Sequence, residues 1–566
     1  MPDKQTDGET MTEEETEDEA EEEQTPSWSD SLFTGGSEGP DFDRSPSTPD
    51  EGRVSLTDEE ESVLEKIEEL QDDPPEPYPH DEGGEVGYIP VGDSMIPYLE
   101  KRKREGKGFT IDDLDIKWWS DNGMMPKHPY LLLNPTTLAN RNYHYNAGIV
   151  RDFIRAKRGD VFILADSGGF QLVNSGLQVT DDKNKHDWSS HIHPERVVEW
   201  QIANSDAGTI LDVPVYNTLE SQDDDRGESP HDGLLYGEYE EWFSNVHEPR
   251  SKMTREHAQI ASDRVDELGV DGFQLTGVLH GMPRQDGNGD MMHSYKQWYD
   301  QLEPMRDWDG WSLSSPYEGR VGAVAALLGF AGEYIDDAEF IHVLGQGNVW
   351  ARVIGRLYAQ ETDTFVTMDG TGFKIGSMFS TMYLPTTYMK SIRITDRVDE
   401  NEETRYEKIS NERMPCGCAV CRRIENNMGA KELFNKPGTE RMVMMDLHNL
   451  GHLLRRFYLV DSFVKARGSD LLDEVTIQRG GDNAAGVEVT SHSEFWRLLE
   501  SWFSESRVAE IYYAMDFVIQ ACRGNLDEVT DKYWFNTPFF HATPGGIKDD
   551  SSPSIWRERT NSVYDW

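Results

Sequence analysis

Only four of the 566 residues are cysteine, and three of the four stand within six positions of one another. That is too few, and too clustered, for a disulfide framework, which excludes the small secreted scaffolds held together by such bridges. Basic residues are also scarce: 54 Lys and Arg face 106 Asp and Glu, a formal charge of -52. No apolar run reaches the roughly 18 to 20 residues that a membrane span needs. The first residues, Met1-Pro2-Asp3-Lys4, carry neither the basic nor the apolar region of a secretory signal. Large apolar residues are sparse over positions 1–85, which are rich in Glu, Asp, Ser, Thr, Pro and Gly. Such a segment buries too little surface to offset its chain entropy, so a disordered acidic tail is expected there. Within it, Val54 to Leu70 has helical periodicity, with Val63, Leu64, Ile67 and Leu70 on one face. Together these absences predict a cytoplasmic protein with no membrane partner.

Acidic residues are not confined to the tail. Asp181-Asp182, Asp223-Asp224-Asp225 and Asp549-Asp550 extend the bias through the whole chain. This matches a halophilic protein kept in solution at high salt, where the Debye length falls to about 3 Å at 1 M. Screening of that kind leaves short basic patches able to contact phosphate whatever the net charge, so nucleic acid is not excluded as a partner. Three patches qualify: Lys101-Arg102-Lys103-Arg104, Arg422-Arg423 and Arg455-Arg456.

From Gly87 onward aromatic residues recur, and between Pro129 and Gly370 a pattern repeats. Seven short apolar runs end in polar or glycine-rich residues: Tyr130 to Asn134, Val161 to Asp166, Thr209 to Asp212, Phe273 to Leu279, Trp311 to Ser314, Phe340 to Leu344 and Phe365 to Asp369. Helical stretches lie between several of them: Ile149 to Arg158, Pro194 to Asn204, Thr254 to Leu268 and Val349 to Thr362. Short apolar runs alternating with helices mark βα units and a parallel sheet. The expected fold is α/β, a (β/α)8 barrel, in which chemistry gathers at the C-terminal ends of the strands. Three runs end in aspartate there: Asp166, Asp212 and Asp369. A doubly wound open sheet is the alternative, but no glycine-rich dinucleotide fingerprint follows the first run.

Two motifs carry chemistry. Cys416, Cys418 and Cys421 are followed, after 26 intervening residues, by His448. Three thiolates and an imidazole make a closed tetrahedral set, the pattern of structural Zn2+ rather than catalytic zinc. Cys522, in a helical run, reads as an ordinary buried thiol. The second motif, Asp166-Ser167-Gly168-Gly169-Phe170-Gln171, closes a strand. Two glycines after a strand-end carboxylate let a planar ligand approach the backbone, and Phe170 can stack on it. The plain alternative is a helix cap and a tight turn.

This hexapeptide, the cysteine and histidine spacing and the Asn449-Leu450 that follows resemble the tRNA-guanine transglycosylase superfamily over roughly Pro129 to Phe457. Its members are zinc-bearing (β/α) barrels that exchange a guanine in nucleic acid for a 7-deazaguanine. His193-Pro194-Glu195-Arg196 before Leu211-Asp212-Val213-Pro214 resembles the segment leading to the base-reading aspartate. Gly277 to Gly281 resembles a strand end that contacts the base, with His280 where the family has glutamine. His342 to Gly347 resembles the strand before the nucleophile, and Thr367 to Phe373 then places Asp369 at the nucleophile's position. Ser314-Ser315 stands where a glycine pair binds the base.

The resemblance implies Asp369 as nucleophile, Asp166 as general acid and base, and Asp212 as acceptor for the base. Ser167, Phe170, Gln171, His280, Ser314 and Ser315 become further substrate contacts. It also implies a zinc subdomain inserted after the barrel; with the acidic tail that composition places over 1–85, the expected order is that tail, a barrel over 87–405, a zinc-binding subdomain over 406–460 and a C-terminal helical region over 461–566. The implied partners are nucleic acid and a preQ0-type 7-deazaguanine base, with a homodimer and a monomer both open. DNA is favoured over tRNA, because the base-contact positions differ and no appended RNA-binding module is evident in the 118 residues after His448. A non-catalytic zinc barrel acting as a partner subunit is the reading from another class.

Overall fold

The computed structural model describes residues 56–72, 85–92, 117–119, 121, 125–138, 150, 161–174, 177–215, 239–283, 286–314, 321–335, 338–370, 372–378, 381–383, 391–393, 416–427, 438–479 and 487–534. Eight of its strands form one sheet: β1 Val86–Pro90, β2 Tyr130–Leu133, β3 Phe162–Ala165, β4 Ala207–Thr209, β5 Gln274–His280, β6 Gly310–Ser314, β7 Phe340–Val343 and β8 Phe365–Gly370. Every neighbouring pair in that sheet is parallel. A parallel bridge from Val91 to Leu132 and a hydrogen bond from Gly92 N–H to the Leu132 carbonyl (3.0 Å) bring β1 beside β2, so the sheet curls into a barrel. Helices α2 Pro194–Asn204, α3 Glu248–Leu268, α4 His293–Leu302, α5 Val321–Tyr334 and α6 Val349–Thr362 follow their strands.

Two details depart from the sequence pattern. The first strand, Val86–Pro90, escaped it because Gly87 and Pro90 break the apolar run, although its residues are buried throughout. The fourth strand is Ala207–Thr209, so the expected run Thr209 to Asp212 begins where the strand ends. Asp212 therefore sits on the loop beyond β4 rather than as its last residue. Of the expected helix Ile149 to Arg158, only Val150 lies within the described residues.

Alternation along the strands divides the core in two. Phe162 and Leu164 of β3, with Ile89, Leu132, Ala207, Phe340 and Phe365, form an inner cluster, while Ile163 and Ala165 join the outer cluster under the helices. Successive side chains of a strand point to opposite faces, so this split follows from the period of two. Rings plug the inside: Phe162 lies 6.0 Å from Phe340 and 6.4 Å from Phe365, both edge-on. One step further along the same face the residues turn polar, with Thr276 Oγ1 3.1 Å from Ser312 Oγ and His342 Nδ1 2.9 Å from Thr367 Oγ1.

Helix α1, Leu56–Asp72, realises the periodicity of Val54 to Leu70. It packs on α2 through Val63 and Ile67, and its Glu60 pairs with Arg196, which also holds buried Glu199 at 2.7 Å. After the barrel come α7 Ala419–Asn427 and the 30-residue α8 Gly438–Arg467. Arg352 of α6 grips Asp461 of α8, and Glu85, at the start of β1, binds both Arg356 and Lys465. α8 thus fastens the seam where β1 meets β8. The region beyond it contains an antiparallel hairpin, Val475–Arg479 with Val487–Ser491, besides the helices α9 Glu494–Trp502, α10 Glu505–Cys522 and α11 Leu526–Trp534. α10 packs along α5 and α6, and Phe517 lies where a side chain at Gly329 would otherwise stand. Among the described residues no helix is long and apolar enough to cross a membrane.

This packing makes the C-terminal helices part of the barrel's folding unit. Phe517→Ala is expected to cost about 3–5 kcal/mol and to lower the barrel and the C-terminal helices together. Denaturant unfolding followed by far-ultraviolet circular dichroism and by tryptophan fluorescence should give coincident, equally shifted transitions.

Candidate active site and metal centre

The C-terminal rim of the barrel carries three carboxylates. Asp369 lies on the inward parity of β8, two residues beyond Thr367 and four beyond Phe365. Asp166 directly follows β3 on the same parity as Phe162 and Leu164. Asp212 reaches the rim from the loop after β4. Asp212 and Asp369 are buried, with 6% and 8% exposure.

Asp166 feels both of the others. Burial, then the carboxylates of Asp212 and Asp369, push its carboxyl up to about 7, against hydrogen bonds from Asn134 and the Ser167 N–H. Those two donors grip its two oxygens: Asn134 Nδ2 at 2.7 Å from Oδ2 and Ser167 N at 2.8 Å from Oδ1. Asn134 Nδ2 also reaches Gln171 Oε1 (3.2 Å), and the Thr136 hydroxyl fixes the amide by donating to Asn134 Oδ1 at 2.6 Å. A carboxyl poised near neutrality beside two other carboxylates is suited to moving a proton.

Asp212 is held on both oxygens. Ser167 Oγ donates to Oδ1 at 2.8 Å, and His280 Nε2 stands 2.6 Å from Oδ2. A carboxylate only accepts, so His280 carries its proton on Nε2. Ser167 therefore acts on Asp212 rather than facing the cavity freely. A side chain at Gly169 would place its Cβ 2.3 Å from Asp212 Oδ1, so only glycine lets the turn pass this carboxylate. Gly168, with φ of 85°, is in the left-handed region that favours glycine.

Asp369 is oriented by one of its oxygens. Gly345 N–H donates to Oδ1 at 2.6 Å, and His342 Nε2 stands 3.4 Å from the same atom. The one donated hydrogen bond thus falls on Oδ1. Tyr88 donates to the Gly370 carbonyl at 2.7 Å, and Gly370 packs so tightly on Gly347 that a Cβ there would lie 2.6 Å from its Cα. Ser314, the last residue of β6, is the register partner of His280 and is buried. Phe170 is half-buried in the first turn of the helix Gly169–Asn174. Ser315 lies outside the described residues, as do Lys101 to Arg104.

A second cluster lies beyond the rim. His448 Nδ1 stands 3.2 Å from Cys421 Sγ, 3.5 Å from Cys418 Sγ and 4.0 Å from Cys416 Sγ, while Cys416 and Cys421 are 3.5 Å apart. A tetrahedron with metal–sulfur bonds near 2.3 Å and metal–nitrogen bonds near 2.0 Å has edges of roughly 3.5–3.8 Å. His448 Nε2 faces the Tyr383 carbonyl at 2.8 Å, which puts the ring proton there and turns the Nδ1 lone pair toward the sulfurs. The residues therefore fit a metal ion. One addition went unforeseen. His452, one helical turn after His448, brings Nε2 to 3.3 Å from Cys416 Sγ, and Cys416, Cys418, His448 and His452 offer ligand atoms all within 4.8 Å of one another. This Cys2His2 set could hold a metal such as zinc.

Asn134 and His452 were not singled out from sequence, and His342 and Gly345 only as part of the stretch before the nucleophile, although each had a signal of its own. Asn134 is the polar end of an apolar run, His342 and Gly345 flank the end of another, and His452 is four residues from a ligand on one helix.

The raised Asp166 carboxyl has a stability consequence. Its folded-state value exceeds the unfolded one, so the native chain binds the extra proton and loses stability as pH rises from about 4 to about 7. Asp166→Asn removes this loss. The variant should gain stability relative to the parent across that interval and keep the gain above it, as read from denaturation midpoints at pH 4.5 and 8. Comparison with known proteins gives no further guide to the site: no family model matches the chain, and no characterised protein matches it.

Proposed function

We propose that this barrel is a base-exchange enzyme of the guanine transglycosylase kind, replacing a guanine in nucleic acid by a 7-deazaguanine. The observation that carries the reading is the convergence of three carboxylates on the barrel rim, with Asp166 near neutrality between the other two. Breaking and remaking an N-glycosidic bond asks for a nucleophile, a proton carrier and an acceptor for the base, and the rim offers one carboxylate for each.

In this mechanism the Asp369 carboxylate attacks C1′ of the target nucleotide while the bond from C1′ to the base nitrogen breaks. Protonated Asp166 delivers its proton to the departing guanine, which leaves neutral. The product is a glycosyl ester on Asp369. The incoming 7-deazaguanine gives its ring N–H proton to Asp166 and attacks C1′ with the freed nitrogen, releasing the Asp369 carboxylate. Two displacements retain the configuration at C1′, by the logic of retaining glycosidases. Asp212, steadied by Ser167 and His280, accepts from the amino and ring N–H groups of the base. Phe170 stacks on the base, with Gln171 and Ser314 as polar contacts. The base must leave its stack to be reached.

The metal in this reading is one structural zinc, held by Cys416, Cys418, Cys421 and His448, and it supplies no chemistry to the exchange. Arg422 on α7 and Arg455 on α8 are exposed beside it and serve as phosphate contacts, while Arg456 lies over the Tyr383 ring, 5.4 Å from its centre. DNA is the preferred substrate and tRNA the alternative, since His280 and Ser314 alter the base contacts that the resemblance implies.

The ester intermediate is the test. Incubation with guanine-containing DNA, without incoming base, should leave DNA attached to the protein through denaturing electrophoresis. Asp369→Asn should abolish the shifted band and keep noncovalent binding, while Asp166→Asn should slow its formation. tRNA should form the adduct poorly. If Asp369→Asn exchanges labelled guanine at the parental rate, the nucleophile is misassigned. If neither nucleic acid forms an adduct with the parent chain, the base-exchange reading falls.

A further inference from the structure

The metal centre holds five donors where a tetrahedral ion takes four. Cys416, Cys418 and His448 belong to both sets that the geometry allows; Cys421 and His452 compete for the fourth place. Cys421 Sγ has the better claim in the resting site, with contacts of 3.2 Å to His448 Nδ1 and 3.5 Å to Cys416 Sγ. His452 Nε2 contacts Cys416 Sγ at 3.3 Å, and its ring centre lies 4.5 Å from that of His448. Both contenders are inside the protein, Cys421 with no exposure and His452 with 5%. An imidazole so placed cannot turn to bulk water, and its position four residues after His448 keeps both rings on one face of α8.

We propose that His452 is a reserve ligand: it donates its Nε2 proton to the Cys416 sulfur while Cys421 binds the metal, and it takes the fourth position when the Cys421 thiolate is lost. The exchange needs no redox partner. On exchange the Cys421–metal bond would break with the thiolate taking a proton from water, and the His452 proton would move from Nε2 to Nδ1, so that a neutral imidazole binds the ion through Nε2. The site would thereby keep its metal whenever the Cys421 thiolate lets go of it. Loss of Cys416 or Cys418 has no such remedy, because each belongs to both sets.

Cobalt(II) substitution counts the thiolates directly, since the sulfur-to-cobalt charge-transfer band grows with each bound sulfur. The parent chain and His452→Ala should both show three thiolates. Cys421→Ser should retain one cobalt per chain with the band at two thirds of the parental intensity, and with affinity reduced by about 10- to 100-fold. Cys421→Ser/His452→Ala should lose a further factor of similar size and fall to the level of Cys418→Ser. His452→Ala removes no resting ligand and so should fold as the parent does. Its metal should pass to a competing chelator about tenfold faster, because a momentary opening of Cys421 is no longer caught. A two-thiolate spectrum of the parent chain, a Cys421→Ser chain that binds no better than the double variant, or an unchanged release rate in His452→Ala would each overturn the proposal. None of these readings depends on base exchange.

Discussion

Three carboxylates share the mouth of one barrel, and most of the rim is arranged around the cost of putting them there. Like charges in a medium less polar than water cannot all ionise freely. The strain is relieved in two ways. Asp166 takes up a proton near neutrality, with burial as the largest cause and the other two carboxylates next. Asp212 and Asp369 are met by donors: Ser167 and His280 for the first, the Gly345 N–H for the second. Replacing any of these donors by an apolar group would leave a buried carboxylate short of a partner, which is far more costly than the loss of one surface hydrogen bond.

The same constraint explains the glycines at the rim. Gly169 passes so close to Asp212, and Gly370 so close to Gly347, that the turns and the carboxylates can occupy the space only without side chains. Backbone approach here is part of the electrostatics, since Gly345 supplies an N–H rather than a side-chain donor to Asp369. Beneath the rim, the inward residues of β8 run Phe365, Thr367, Asp369, from apolar plug through hydroxyl to carboxylate. The floor is packed with rings, the middle layer fixes His342 through Thr367, and the top layer carries the carboxylates.

The metal cluster and α8 serve this rim from outside the barrel. Asn449, next to His448, accepts from Tyr383 N–H and donates to the Phe373 carbonyl, so the helix that carries a ligand also holds the segment just after Asp369. At its other end α8 is tied through Asp461 and Lys465 to Arg352 and Glu85 at the barrel seam. A metal bound at Cys416, Cys418 and His448 would therefore stiffen the frame of the site while remaining apart from its chemistry.

Sequence by itself determined the class of fold, because short apolar runs between amphipathic helices have few other solutions, and it placed Pro194–Asn204 and Val349–Thr362 to the residue. It also brought Asp166 and Asp369 to strand ends and named three thiols and a histidine as one group, since local spacing encodes both. Tertiary structure alone decided the rest. Val86–Pro90 is a strand only because β8 and β2 flank it, for its own composition is unremarkable. Asp212 lies on a loop and not in a strand, and what brings it to Asp166 is the hydrogen bonding of Ser167 and His280 from β3's turn and β5. Asn134, His342 and Gly345 matter because strands far apart in sequence stand about 5 Å apart in a sheet. His452 joins the metal cluster because a helix returns to the same face every turn, and only the packing of α8 against Cys416 shows which face that is.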